Sequence, residues 1–279
     1  MRIAVVGGMN LDLLGFPAGV LLPRDSNPGR VVFRPGGVGR NIAARLAAMG
    51  QQPLLITALG NDERAELLRG FCASAGIDLS LSLETACPSP CYLCIHDEKG
   101  DMSAAISDMT AMDWLTPEAM ALRMETVNNA SACVLDANPP AETLLYIARH
   151  AKTPLILDPV SCVKAQRVRD VLPYLWAIKP NQLEAAALTG ENSPQQAADA
   201  LLRAGVKNVF ISLGAEGVYY AGAGERGIIP ALPLPALPLT GAGDALCAGL
   251  TLALLRGESP RDCAKAGCQA AHDALLAAL

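Results

Sequence analysis

The sequence predicts an α/β protein in which a mainly parallel sheet carries helices on both faces and a small β-sheet stands off the body as a lid. Three observations point there. Short apolar runs alternate with helix-period segments along most of the 279 residues. Hydrophobic residues make up 51% of the chain against 18% charged, enough to bury a large core. Two stretches then break the alternation by reading as strands with no crossover helix behind them.

Taken in chain order, the strand candidates of the main sheet are Ile3–Gly8, Leu54–Leu59, Ala132–Asp136, Leu155–Asp158, Trp176–Ile178 and Asn208–Leu213. The helical patterns between them cover Val38–Met49, Asp62–Ala75, Pro140–His150, Gln182–Thr189 and Pro194–Ala204. The stretches that break the rhythm are Arg30–Arg34 and Tyr92–Ser107, the second folded at Glu98-Lys99-Gly100-Asp101. The chain is therefore expected to form one domain over 1–279, with lid strands from about 12–34 and 90–109. Its last stretch, Gly241 to Leu279, reads as two helices separated near Gly257-Glu258-Ser259-Pro260. In sheets of this kind ligands gather beyond the carboxyl ends of the strands.

Composition excludes several partners. The net charge is −5 with no Lys/Arg run and aromatics are 4%, so no nucleic acid is expected as a partner. The least charged stretch, Gly227 to Gly243, contains Pro230, Pro233, Pro235 and Pro238, which rules out a membrane helix there. Met1-Arg2 leads straight into a strand-like run rather than a cleavable leader, so a cytoplasmic protein is the expectation. Cys87, Cys91 and Cys94 have the spacing of an iron–sulfur motif. A strand through Cys91 and Cys94 would point them to opposite faces, which argues against a cluster. The remaining cysteines are scattered and read as small core hydrophobes.

Three glycine-rich segments carry the chemistry. Thr240-Gly241-Ala242-Gly243-Asp244 opens an apolar helical pattern. Glycines there let backbone amides cradle a phosphate, and Asp244 in the first turn is placed to take a proton from an attacking hydroxyl. A plain helix start, capped by Thr240 and with Asp244 complementing the dipole, explains the same residues equally well on local grounds. Pro35-Gly36-Gly37-Val38-Gly39-Arg40-Asn41 also leads into a helix. There Gly36 and Gly37 permit close approach to a ligand, and Asn41 offers a donor and an acceptor. After the first strand, Asn10 and Asp12 alternate toward one side, and a carboxylate there can accept both hydrogen bonds of a vicinal diol; an Asx-rich turn is the plainer alternative.

Further polar groups sit at strand ends. They are Asn138, Asp158, the pair Asn181 and Glu184 at helical i, i+3 spacing, and the turn Ser212-Leu213-Gly214-Ala215-Glu216-Gly217. Asn181 and Glu184 fit either a hydrated Mg2+ or a capping box. Gly222-Ala223-Gly224-Glu225-Arg226-Gly227 matches the dinucleotide fingerprint but opens no helix, and reads as a hairpin turn.

The ordered set Asn10/Asp12, Gly36-Gly37…Asn41, Asn181-x-x-Glu184, Ser212-x-Gly214-x-x-Gly217 and Gly241-Ala242-Gly243-Asp244 resembles the ribokinase-like (PfkB) family of carbohydrate and nucleoside kinases over essentially the whole chain. The resemblance implies an α/β/α sandwich with a β-sheet lid, ATP and Mg2+ as cofactors, and a small nucleoside or sugar as the phosphoryl acceptor. It implies Asp244 as the catalytic base and Gly241, Ala242 and Gly243 as the anion hole. Asn10, Asp12, Gly36, Gly37, Asn41 and Asn138 would bind substrate. Asn181, Ser212, Gly214, Gly217 and Thr240 would bind the nucleotide, and Glu184 the metal. Gly37-Val38-Gly39-Arg40-Asn41-Ile42-Ala43 and Ala104-Ala105-Ile106-Ser107-Asp108-Met109 look most like pseudouridine kinases within the family.

Two departures stand out. Pro238-Leu239 replace the acidic residue and Thr usual before Thr240, which weakens the claim to a K+ site, and the chain ends soon after its final helix. A kinase for a free sugar or another nucleoside, and a nucleoside-binding sensor, are the alternatives. Exposed lid strands suggest that two copies pair as a homodimer.

Overall fold

The computed structural model describes residues 1–233 and 241–277. The chain begins with β1 (Arg2–Val6), then two lid strands, β2 (Asn10–Pro17) and β3 (Gly29–Gly36), then α1 (Val38–Ala48) and β4 (Gln52–Ile56). Next come β5 (Ala58–Leu59), α2 (Glu63–Ser74), β6 (Leu83–Glu84), and the remaining lid strands β7 (Cys91–His96) and β8 (Met102–Asp108). Helices α3 (Pro117–Ala121) and α4 (Met124–Asn128) lead to β9 (Cys133–Asp136), α5 (Ala141–His150), β10 (Leu155–Asp158) and α6 (Cys162–Ala165). The second half runs β11 (Ala177–Ile178), α7 (Gln182–Thr189), α8 (Pro194–Arg203), β12 (Asn208–Ser212), β13 (Val218–Gly222), β14 (Glu225–Ile229), α9 (Ala242–Leu255) and α10 (Pro260–Leu276).

The main sheet has the order β14-β13-β12-β11-β10-β9-β1-β4. Its pairs are parallel from β4 through to β12, and only β12/β13 and β13/β14 run antiparallel. Side chains alternate across it, as the two-residue strand period requires. Ile3 and Val5 enter one core with α1, α2, α9 and α10, while Ala4 and Val6 enter the other with α5, α7 and α8. Burial on both faces is why these strands read as unbroken apolar runs, and it gives the three-layer sandwich that was expected. Among the described residues no helix is long and apolar enough to cross a membrane.

The lid is a four-stranded sheet, β3-β2-β7-β8. Three expectations change. The lid strands begin earlier than expected: Asn10 and Asp12 belong to β2, which pairs with β3 from Asn10↔Gly36 onward, rather than ending the first core strand. The predicted strand Leu54–Leu59 is interrupted at Thr57, where β5 leaves the main sheet to pair with β6. Helical turns at 110–128 and 162–174 also lie where no element was predicted. These turns are too short to show a helical period. The hairpin read from Gly222–Gly227 is present, with Ala223 and Gly224 both at positive φ (48° and 81°), the backbone a two-residue hairpin turn needs.

One side chain ties these layers together. Asp136, at the carboxyl end of β9 and fully buried, accepts backbone N–H bonds from Gly8, Gly39 and Asn138, each at 2.8 Å. It thereby fixes the ends of β1 and β9 and the first turn of α1 at one point. A Cβ on Gly7 would lie 2.5 Å from this carboxylate, so the approach requires glycine. Asp136→Ala would leave three donors buried without a partner, each costing about 1–3 kcal/mol. The variant should lose at least about 3 kcal/mol of stability by urea denaturation. A loss well below one donor's cost would mean that water replaces the carboxylate.

Candidate active site

The cleft opens above the carboxyl ends of β1, β9, β10, β11 and β12, under the lid. Helix α9 begins there with Gly241 at φ 84° as its N-cap, and no side chain caps it, so its first amides stay available. Asp244 follows in the first turn. Its Oδ2 accepts a hydrogen bond of 2.8 Å from Asn41 Nδ2 on α1. Burial and, after it, the negative charge of Asp158 push its pKa up to about 7, against Lys179 and the Asn41 bond, which hold it down. Such a carboxyl takes and returns a proton near neutrality.

The floor of the cleft is a buried ion pair. Lys179 Nζ lies 2.8 Å from Asp158 Oδ2, with side chains 7% and 4% exposed. Burial works against the ammonium, yet Asp158 more than offsets it and the Lys179 pKa is raised. A Cβ on Gly243 would lie 3.2 Å from Lys179 Nζ, so this ammonium sits directly beneath the glycine turn. Asp158 also accepts from the Val160 N–H at 2.8 Å. Asp158 had no role assigned from sequence. Asp136 and Lys179 went unremarked there, since a strand-end Asp and the Lys of Lys179-Pro180-Asn181 carry no motif of their own.

Beside this floor, Asn181 and Glu184 form a reciprocal capping box. Asn181 Oδ1 accepts from the Glu184 N–H at 2.8 Å, and Glu184 Oε2 accepts from the Asn181 N–H at 2.9 Å. Glu184 is only 4% exposed. Its pKa is raised by burial first and by Asp158 second. Here the plainer of the two sequence readings describes the contacts the residues make.

Asn181, Ser212, Gly214, Gly217, Ala242 and Gly243 all line one cavity of about 600 Å³. Its far wall comes from α10, including Cys268, His272 and Leu275. An isolated His such as His272 carries no positional signal in the sequence. Gly217 is at φ 103°, and a Cβ there would come within 2.0 Å of the Ile229 carbonyl. Thr240 lies outside the described residues.

The second half of the cleft belongs to the lid. Asn10 Nδ2 donates to Asp12 Oδ1 at 2.5 Å. Burial raises the Asp12 pKa, with Asn10, Arg40 and Arg34 opposing. Asp12 lies flat on Gly36, where a Cβ would come within 2.3 Å of Oδ1, and Gly37 is at φ 93° against Gly8. Asn138, 5% exposed, packs on Gly8 and accepts from Lys164 Nζ at 2.5 Å. The structure thus brings Asn41 to Asp244 and Asp12 to Gly36, and lines one cavity with Asn181, Ser212, Gly214, Gly217 and Gly243.

A sequence profile described as pfkB family carbohydrate kinase matches residues 1–276. The chain is 35% identical to a pseudouridine kinase of Escherichia coli over 256 residues, 89% of this chain and 82% of that protein. Among solved structures, a ribokinase from Thermotoga maritima superposes with a TM-score of 0.87 at 28% identity, covering 97% of this chain and 91% of that one. An Arabidopsis thaliana ribokinase solved with ribose and ATP has the same fold, with a TM-score of 0.85 at 24% identity over 97% of this chain and 91% of that chain. The motif order, the cleft and these likenesses agree: the chain belongs to the pfkB family of carbohydrate kinases, phosphotransferases acting on hydroxyl groups of sugars or nucleosides.

Proposed function

We propose that this kinase transfers the γ-phosphoryl group of ATP to the 5′-hydroxyl of a nucleoside, pseudouridine being the acceptor. The observation that carries the reading is the Asp244 carboxyl, one residue beyond the open glycine turn and poised near pH 7. The likeness to a pseudouridine kinase supports the choice of acceptor.

In this reading Asp12 accepts the hydrogen bonds of the ribose diol, with Asn10, Asn41 and Asn138 and the bare backbone at Gly36 and Gly37 completing the sugar site. Asp244 removes the proton of the 5′-hydroxyl as its oxygen attacks phosphorus. The amides of Gly241, Ala242 and Gly243 hold the transferring group, and the Lys179 ammonium beneath them favours its charge. Positioning and charge stabilisation do most of the work, since phosphoryl transfer needs little covalent help. Ser212, Gly214, Gly217 and Asn181 line the space for ATP, and its volume suits a nucleotide.

A cation fits this electrostatic setting. Burial first and the charge of Asp158 second raise the pKa of both Glu184 and Asp244, and the Lys179 ammonium opposes the rise in each. Glu184, with Asn181, would hold a hydrated Mg2+, whose charge neutralises the phosphates when bound.

The lid supplies the proposed dimer contact. Phe33, Leu13, Leu93 and Ile106 stand in one cross-strand row, and Val31, Gly15 and Ile95 in the next. Phe33 is 53% and Ile106 67% exposed, so this face is apolar and open in the single chain. A second copy of the same sheet covers it.

Asp244→Asn should lower kcat by about 10²- to 10⁴-fold on pseudouridine while ATP binding, read by calorimetry, stays within a few-fold. Near-normal turnover by this variant would remove Asp244 from its role, and faster phosphorylation of ribose than of pseudouridine would move the acceptor to a free sugar. For the wild type, kcat/KM should rise with pH through a midpoint near 7 as Asp244 ionises. The same group sets a stability trend. An unfolded carboxyl releases its proton near 3.8 and folded Asp244 only near 7, so stability falls as pH rises across that window. The melting temperature of Asp244→Asn should therefore gain on that of the wild type between pH 4 and 7, and a constant difference would contradict the raised pKa. A Phe33→Asp/Ile106→Asp variant should be monomeric by light scattering where the wild type is dimeric; an unchanged mass would place the interface elsewhere.

A further inference from the structure

Arg40 stands where the lid, the core and the proposed base meet. Its backbone N–H donates to the Gly8 carbonyl at 3.1 Å. The residue before it, Gly39, donates to Asp136, and the residue after it, Asn41, holds Asp244. Its Nη2 reaches back to the Pro35 carbonyl, near the end of lid strand β3. The adjacent lid strand β2 carries Asp12, which lies against Gly36. One side chain thus touches or faces both lid strands that enter the cleft.

The guanidinium is costly where it is. Its Nε is buried and has no hydrogen-bond partner among the described residues. Burial lowers the Arg40 pKa, and the charges facing it are those of Asp244 and Asp12, with a neighbouring Cys72 and the like charge of Arg45. Cys72 is itself pushed up to about 11 by burial, so it is a neutral thiol near pH 7. A half-satisfied buried arginine persists only where nearby carboxylates offset its desolvation. Here those carboxylates are the two to which the proposed function gives the acceptor.

We propose that Arg40 is a positioning residue that joins the lid to the base. It holds Pro35 and Asp12 of the lid in fixed relation to Asn41, and through Asn41 to Asp244, so that seating the acceptor diol and aligning the base depend on one joint. The assignment rests on the roles given above to Asp12 and Asp244. Asp244 is also faced by Asp158, Asp136 and Lys179, and Asp12 by Arg34, so the charge of Arg40 is one contribution among several.

The test uses the full chain with the substitutions Arg40→Gln, Arg40→Lys, Asp12→Asn and Arg40→Gln/Asp12→Asn. Arg40→Gln should raise KM for pseudouridine about tenfold or more and move the acidic limb of kcat/KM to higher pH, while KM for ATP stays within about twofold. Arg40→Lys, which keeps the charge but loses the planar fork, should restore the limb and leave the pseudouridine KM raised. In thermal melts the double variant should melt above Arg40→Gln alone, because removing Asp12 removes a carboxylate left without its countercharge. Strictly additive melting shifts with an unmoved limb and pseudouridine KM would reduce Arg40 to packing and overturn the proposal. A wild type that phosphorylates no nucleoside or sugar would instead refute the function, and the melts would still decide whether Arg40 and Asp12 are coupled. Should Arg40→Gln fail to fold, Arg40→Lys with and without Asp12→Asn gives the same comparison.

Discussion

The cleft depends first on one buried carboxylate. Asp136 gathers the Gly8, Gly39 and Asn138 amides, and in doing so brings together the ends of two strands and the start of a helix. Nothing else at that point could satisfy three inward-facing donors, because glycines at 7, 8 and 39 leave no side chains to do it. The arrangement explains why bare backbone is needed there. It also bears on Asn41 and Asn138, since each is carried by a segment that Asp136 holds.

A second layer of the design is electrostatic. The cleft contains more carboxylates than a neutral protein interior tolerates, and a single ion pair, Asp158 with Lys179, sets the balance. Buried pairs of this kind contribute little to net stability, since desolvation consumes most of the attraction. Their value here is positional. The ammonium lies under Gly243, at the open start of α9, and the Asp158 carboxylate helps keep Glu184 and Asp244 from ionising readily. Burial first, and the charge of Asp158 after it, bring the Asp244 pKa up to about 7, with Lys179 opposing.

The lid differs from the body in its construction. Strands β3, β7 and β8 carry exposed apolar residues such as Phe33, Leu93 and Ile106, whereas main-sheet strands β1, β9, β10 and β12 are buried on both faces. The lid joins the body at several points: Met9 and Leu11 sink into the core, and Gly37, in a left-handed conformation, packs where no Cβ fits against Gly8.

Much of this was legible from residue order. Unbroken apolar strands such as Ile3–Val6 and Leu155–Leu157 announce a sheet covered on both faces, and five spaced motifs mark the family. Periodicity and glycine placement are local properties, and the chain states them directly. The roles of Asp136, Lys179 and Arg40 were not legible, nor was the break at Thr57 that splits a predicted strand between two sheets. Each depends on groups far apart in sequence coming together: Asp136 on Gly8 and Gly39, Lys179 on Gly243, and Arg40 facing the charges of Asp12 and Asp244. The sequence by itself determined where the long strands and helices form and which side chains are candidates for the chemistry. The tertiary structure alone decided which charges face one another, because a shifted pKa is a property of distance and desolvation, and neither exists until the chain has closed on itself.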